Sequence, residues 1–259
     1  MTVRIAVTDN VFLTVRETPW DARAFGRPTL DITDLSLAEE SGADPSSDES
    51  LFGQFQAVCD QFAAGLVTIR VDADRRSAIG RLQIAGFRYV ETVYRLSCRN
   101  VARYEPPARV TRTITLREAR PDDHPTLVAQ AADSFRYGRF AEDPWMPADV
   151  NRRRQIDWIE GLLAGRARVL VADLDGAPAA FMALRVTAGV ADLILAGTRP
   201  KAGILAYPLW IAVMKQLKAE GVSRAETMIS AANLGVVNLY GTLGFRFDQA
   251  LVGLHLHRS

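Results

Sequence analysis

The chain is short of several things that would mark other classes of protein. Only two of its 259 residues are cysteine, Cys59 and Cys98. They have neither metal-ligand spacing nor the pattern of a disulfide framework, so a reduced compartment is the simplest expectation. There are three histidines, His124, His255 and His257. Asp123-His124-Pro125 reads as a helix start, and His255 and His257 alternate on a terminal strand. No metal set and no Ser-His-Asp arrangement is expected from them. No apolar run is long enough to span a bilayer, and the opening MTVRIAVTDN does not read as a secretory leader. A cytoplasmic protein without membrane contact is the expectation. Net charge is also missing: 31 Lys and Arg stand against 30 Asp and Glu. That balance argues against a nucleic-acid binder and leaves room for a small basic pocket.

What is present is apolar content. A hydrophobic fraction of 48% is enough for a real core, and the length allows one large domain or two ordinary ones. The best boundary lies at Tyr104 to Arg109, where Pro106 and Pro107 disfavour helix and remove sheet donors. It separates an N-terminal segment, 1–105, from a longer one, 111–259. Residues 41–50, SGADPSSDES, are polar and turn-rich and are expected as a loop within the first segment.

The second segment reads as a mixed α/β sheet. Strands are expected at Thr113–Glu118, Arg168–Asp173, Ala179–Val186, Ala191–Ala196 and Arg224–Ile229, with one or two more in Phe245–Leu256. Helices are expected after Pro121, at Asp149–Leu163, at Ala206–Glu220 closed by Gly221, and at Gly235–Leu243. The end of the first segment repeats part of this plan. AIGRLQIAGFRYVETVYRLSCR, Ala78 to Arg99, resembles VNLYGTLGFRFDQALVGLHLHR, Val237 to Arg258. Gly86-Phe87-Arg88 then lines up with Gly244-Phe245-Arg246, and Leu82 stands where the second copy has Tyr240.

The chemistry concentrates in ISAANLGVVNLYGTLGFRF, Ile229 to Phe247. It joins a strand end carrying Ser230, an Asn233 near a helix start, Asn238 and Tyr240 on the helix, and Leu243-Gly244-Phe245. This resembles the C-terminal motif of the GNAT acetyltransferase superfamily. The resemblance implies an acetyl-CoA cofactor whose pantetheine arm runs beside this helix, with Tyr240 at the thioester sulfur. A phenol suits that place, because its pKa of about 10 against about 8.5 for a thiol lets it protonate a departing thiolate. Asn233 and Asn238 could satisfy pantetheine amides. The plainer roles, a packing tyrosine and an asparagine helix cap, stay open.

In the same superfamily, the turn between the fourth strand and the following helix holds the CoA pyrophosphate on backbone N–H groups. Here that turn is AGTRPKAGILAYPLW, Ala196 to Trp210. Lys201 takes the Gln/Arg place of the motif, Ile204 the first Gly place and Ala206 the last, with Gly203 one residue out of register. Ile204 is expected to crowd the approach, and Arg199 or Lys201 to compensate by charge. The cofactor set implied is therefore Leu195, Ala196, Gly197, Arg199, Lys201, Gly203, Ile204, Leu205, Ala206, Ser230, Asn233 and Asn238.

DSFRYGRFAEDPWMPADVNRRRQIDWIEGLL, Asp133 to Leu163, looks like the corresponding segment of the dTDP-fucosamine N-acetyltransferase family. TPWDARAFGRPTLDI, Thr18 to Ile32, resembles the opening of that family's extra N-terminal domain. The resemblance implies a GNAT fold with an N-terminal partial GNAT-like domain. The acceptor it implies is a small-molecule amine, a dTDP-linked amino sugar, held by Phe135, Arg136, Arg139, Phe140 and Asp143. Arg152, Arg153 and Arg154 add donors suited to a pyrophosphate. The sequence does not assign the base; a water relay to Asp143 or Glu142 is one candidate. The first segment is expected to shape the acceptor pocket or a homodimer surface. Another primary amine as acceptor, or a non-catalytic binding protein on the same fold, stays open.

Overall fold

The computed structural model describes residues 1–107, 114–134, 136–199 and 202–258. The expected Phe135 and Lys201 therefore lie outside the described residues, as does the start of the strand expected at Thr113. Strands β1 (Thr2–Thr8) and β2 (Val11–Glu17) form a hairpin. They are followed by α1 (Pro19–Phe25), β3 (Thr29–Ser36), the single turn α2 (Ala38–Ser41), α3 (Ser46–Gln61), β4 (Leu66–Asp72), α4 (Arg76–Ile84) and β5 (Arg88–Cys98). The second half opens with β6 (Leu116–Glu118), α5 (His124–Ser134) and α6 (Ala148–Gly161). It continues through β7 (Arg168–Leu174), β8 (Ala177–Thr187), β9 (Val190–Thr198), α7 (Ala206–Ala219), β10 (Arg224–Ser230), α8 (Leu234–Thr242) and β11 (Arg246–His257).

All eleven strands join one mixed sheet, in the order β1-β2-β3-β4-β11-β5-β10-β9-β8-β7-β6. Strands β1 to β5 and β7 to β11 repeat the same path. Two antiparallel steps lead to a third strand, a helix returns the chain to a parallel fourth strand, and a second helix leads to a fifth that runs antiparallel to both strands it pairs with. The fifth strands are exchanged. β11 pairs with β4 of the first half, β5 pairs with β10 of the second, and the two pair with each other. Each half's sheet is thus completed by the other half's last strand. The Gly-Phe-Arg match has a physical basis: Gly86 and Gly244 follow α4 and α8 with φ of 95° and 78°, a left-handed turn that glycine adopts without strain.

One core lies under α7 and α8, with Leu209, Val213, Met214 and Leu239 among its members. A second lies under α3 and α4, with Leu51, Phe55 and Leu82. The opposite face of the second half is covered by α5 and α6 through Leu127, Ile159 and Leu162. Helix α6 also packs on α1 of the first half, around Ala24, Phe140 and Val150. At the centre, Gly253 of β11 stands between Arg70 of β4 and Glu91 of β5. A Cβ there would lie 2.7 Å from Glu91 Cγ. Its absence lets Arg70 reach across the strand and donate to Glu91 Oε1 at 2.9 and 2.6 Å.

The expectation of a loop at 41–50 needs correction, because α3 begins at Ser46 and only Gly42–Pro45 separate it from α2. Asp48 and Glu49 sit at the positive end of α3, where acidic residues favour helix. Asp48 is also buried and accepts from the Ala38 amide at 2.8 Å. The C-terminal segment forms one bulged strand, β11. The turn at Asp175-Gly176 has φ of 56° and 78°, as a tight hairpin with this dipeptide requires. Among the described residues no helix is long and apolar enough to cross a membrane.

Candidate functional site

Parallel strands β9 and β10 pair only over Val190–Asp192 and Arg224–Glu226. Thr227 Oγ1 donates to the Leu193 carbonyl at 2.9 Å, and no backbone pairing follows. The cause is local. β9 shifts register against β8 between Leu193 and Leu195, and a bulge of this kind bends the strand away from its neighbour. Beyond it the edges of both strands face a cleft of about 900 Å³.

The cleft passes from one face of the sheet to the other. On the α7/α8 side its wall includes Trp210, Thr227, Asn233, Val236 and Tyr240. Tyr240 is 2% exposed, with its ring edge-on to Trp210 and Phe245 at 6.0 and 4.8 Å. Burial pushes its phenol up to about 12, against the opposing pull of Trp210 and Thr227. The group is therefore protonated near neutrality and can serve as an acid, not as a base. The gap to a thiol at about 8.5 becomes roughly 3.5 units, or about 5 kcal/mol, which is larger than an ordinary tyrosine would face. Asn233 is the N-cap of α8, its side chain accepting from the Val236 amide at 3.4 Å while it lines the cleft.

Of the remaining expected cofactor residues, Leu195, Ala196, Gly197, Arg199, Gly203, Ala206 and Ser230 line the cleft. Gly197 is forced by packing, since a Cβ there would meet Phe181 at 2.8 Å. Two expectations change. Ile204 does not crowd the cleft: it is 67% exposed and outside the lining. The reason is that Gly203–Leu205 form a tight turn running directly into α7, which carries the Ile204 side chain outward. Asn238 lies on the exposed face of α8, away from the cleft. Leu205 is buried beneath the turn, with its amide donating to the Ala202 carbonyl at 2.9 Å.

On the α5/α6 side the cleft reaches Arg136, Arg139, Phe140, Arg154 and Gln155, and from the first half Arg70, Glu91 and Val93. The sequence pointed to Arg139 as a free donor. Its terminal nitrogens are instead engaged, one with Asp21 and one with Thr68 Oγ1 at 3.1 Å. Asp143 also needs correction. It is buried and does not line the cleft. Its Oδ2 accepts from His255 Nδ1 and His257 Nε2, both at 2.7 Å, and its Oδ1 accepts from the Trp145 amide at 2.9 Å. Burial alone would raise this carboxyl, but the three hydrogen bonds outweigh it and hold the group well below the usual carboxylate range. Burial in turn lowers His255, with Arg139 acting in the same direction against Asp143. The three side chains could ligate a metal, their donor atoms lying within 4.8 Å of one another. Hydrogen bonds account for the contact of each histidine with Asp143. Glu142, the other base considered, accepts from the Gly138 amide at 2.7 Å and so fixes its own loop.

Asp192 was not anticipated. It lines the cleft where β9 and β10 part. Desolvation at the wall raises its carboxyl above the usual range; Arg185 opposes this and Glu226 adds to it. Asp21 and Glu91 were also missed, though the resemblance around Trp20 pointed to the segment that carries Asp21.

No protein-family model and no curated protein matches the sequence. Solved structures do match. A GCN5-related N-acetyltransferase from Sphaerobacter thermophilus superposes over 95% of this chain and 76% of its own, with a TM-score of 0.64 at 16% identity. A tandem GNAT protein from the clavulanic acid biosynthesis pathway covers 99% of this chain and 83% of its own, at 0.61 and 14%. A GCN5-related N-acetyltransferase from Kribbella flavida covers 99% and 90%, at 0.59 and 13%. Likeness over the full length of the chain, with the splayed parallel strands in place, shows that this protein has the GCN5-related N-acetyltransferase fold.

Proposed function

We propose that the protein transfers the acetyl group of acetyl-CoA to a primary amine, and that this amine belongs to a nucleotide-linked amino sugar. The single observation that carries the reading is the open slot between β9 and β10 with the Tyr240 phenol in its wall. Strand edges left unpaired for the length of a cleft are unsatisfied backbone groups, and the amides of a pantetheine arm would satisfy them. In this reading residues 111–259 form the catalytic half and 1–105 a partial copy that walls the acceptor end. The pyrophosphate would meet the Gly203 and Ile204 amides, which have no backbone partner among the described residues, together with Arg199.

The amine enters from the α5/α6 side. Asp192 takes a proton from the ammonium, a task that suits a carboxyl whose pKa is raised. The free amine attacks the thioester carbonyl, a C–N bond forms and the C–S bond breaks. The thiolate takes the phenolic proton of Tyr240, and the surplus proton of the new amide returns to the phenolate through water. One proton is released overall, on Asp192. Support for the sugar comes from the resemblance of Asp133 to Leu163 and from the arginines at that end of the cleft.

Calorimetry with acetyl-CoA, then thiol release with a panel of amines, tests the reading. The panel contains a dTDP-linked 4-amino-4,6-dideoxysugar, an aminoglycoside, spermidine and a peptide N-terminus. Micromolar binding of acetyl-CoA and fastest release with the sugar are expected. No binding at millimolar acetyl-CoA overturns the enzyme; faster release with another amine overturns the sugar.

A further inference from the structure

The acceptor end of the cleft holds more positive charge than its surroundings neutralise. Four arginines line this end, Arg70, Arg136, Arg139 and Arg154, against the carboxylates Glu91 and Asp192. Arg70 is matched by Glu91. Arg139 and Arg154 share one carboxylate, that of Asp21, which is 1% exposed. The nearest further acid, Asp31, stands 3.7 Å from Arg139 and already pairs with Arg16 at 3.2 Å.

Arg154 is the member left short. Its Nε donates to Asp21 Oδ1 at 2.7 Å, and among the described residues no hydrogen bond reaches its two terminal nitrogens. The side chain is 19% exposed and lies over the rings of Phe140 and Trp158, at 4.8 and 5.2 Å. Arg139 and Arg70 are close enough to oppose its charge. A guanidinium taken out of water, sharing its one carboxylate with a second arginine and facing two like charges, is left short of negative charge unless a further anion joins it. Its shape is ready for one. With Nε tied back and two rings packed against the group, the terminal nitrogens form a fork, the geometry that binds carboxylate or phosphate with two parallel bonds. The next residue, Gln155, is 4% exposed, lines the same cleft, and has an Oε1 with no partner.

We infer that Arg154 is the anion-binding residue of the acceptor subsite, and that the acceptor amine carries a phosphate or carboxylate group seated on its terminal nitrogens. Asp21, supplied by the first half of the chain, is the positioning residue that aims it. Gln155 Oε1 receives a hydroxyl or N–H of the same molecule. Naming that molecule an acceptor rests on the acetyl-transfer reading above; the anion site itself does not.

The test uses the full chain with three ligands: inorganic pyrophosphate, succinate and acetyl-CoA. Binding is followed by calorimetry and by the shift in melting temperature. Pyrophosphate or succinate is expected to bind, and Arg154→Gln to weaken that binding at least tenfold while acetyl-CoA affinity stays within twofold. Preference for pyrophosphate assigns a phosphate-bearing acceptor, and preference for succinate a carboxylate-bearing one. Arg154→Lys keeps the charge opposite Asp21 but loses the fork. It is expected to recover only part of the affinity, and it serves where the glutamine variant does not fold. The inference is overturned if neither anion binds the wild-type protein, or if both variants bind as the wild type does. It is also overturned if Arg154→Gln loses acetyl-CoA affinity, since the arginine would then serve the cofactor. A wild-type protein that binds pyrophosphate through Arg154 but no acetyl-CoA keeps this site and removes the acetyl-transfer reading.

Discussion

The two halves of the chain have the same slot, and only one of them is open. In the first half β3 and β4 run parallel and pair over Thr29–Ile32 and Leu66–Ile69, and then the pairing stops, as it does between β9 and β10. The residue that caps the following helix is Arg75 in one half and Asn233 in the other. Each stands seven residues before Leu82 or Tyr240 and eleven before Gly86 or Gly244. Arg75 turns its guanidinium into the slot, donating to the Leu35 carbonyl at 2.8 Å and to Glu40. That carbonyl belongs to β3, which matches β9, whose edge lines the cleft. The first half thus fills with its own side chain the place that the second half leaves for a ligand, and it has an apolar residue where the second has a phenol. One fold is thus carried twice, and Arg75 and Leu82 are two of the side chains that set the halves apart.

The widest contrast to test is therefore at Leu82 and Tyr240. Leu82 is fully buried in the first core, so Leu82→Ala should lower stability by about 2–5 kcal/mol in urea unfolding, with acetyl-CoA affinity unchanged. Tyr240→Phe keeps the ring against Trp210 and Phe245 and removes only the proton donor. Its turnover should fall about 10²–10³-fold, with the melting temperature and acetyl-CoA affinity close to wild type. An unchanged rate would take Tyr240 out of the chemistry and make the two positions alike.

Gly197→Ala probes the working slot through its wall. The added methyl would sit 2.8 Å from Phe181, a fully buried ring that has little room to move. A loss of about 1–3 kcal/mol is expected, with weaker acetyl-CoA binding because β9 must shift. Loss of stability with unaltered binding would show that the strand edge at Gly197 is not part of the slot.

Most of the second half was legible in the sequence because its signals are local. Periodicity placed the strands, Gly221 and Gly244 ended helices, and the run from Ile229 to Phe247 carried Asn233 and Tyr240 together. The exchange of β5 and β11 was not legible. Alternation in a strand reports which face is buried and says nothing about which neighbour it pairs with. The misplacement of Asp143 has the same origin. Two histidines spaced to share a face were visible, but the carboxylate they bind lies 112 and 114 residues away. Arg139 looked free because Asp21, its partner, is 118 residues distant.

The clamp on Asp143 ties the second half's acceptor loop to β11, within the first half's part of the sheet, and it should titrate. Buried His255 has a lowered pKa, so as pH falls below about 6.5 the unfolded chain takes a proton that the folded chain refuses, and stability drops. Asp143 is also held low. Its contribution is present above about 3.9 and lost as pH falls below that value. Urea midpoints should decline in two steps, each with a limiting slope of about 1.4 kcal/mol per pH unit. His255→Gln should flatten the upper step and Asp143→Asn the lower. A profile unchanged in both variants would mean that the clamp does not couple to folding.

The smallest expected effect bears most directly on the comparison. Arg75 is partly exposed, and its bonds to Glu40 are those of a surface pair, so Arg75→Ala should cost only about 1 kcal/mol. If the arginine alone closed the first slot, its removal would expose the β3 edge and admit a second acetyl-CoA. We expect it does not. The helix that follows β9 in the second half starts from a turn whose Gly203 and Ile204 amides have no backbone partner among the described residues. In the first half, α2 fills the same stretch and Asp48, at the start of α3, is already bonded to the Ala38 amide. An acidic side chain in the first turn of that helix would repel an anionic ligand there whether or not the strand edge is open. Calorimetry on Arg75→Ala should return one acetyl-CoA per chain, as for the wild type. A stoichiometry of two would show that Arg75 alone keeps the first slot closed.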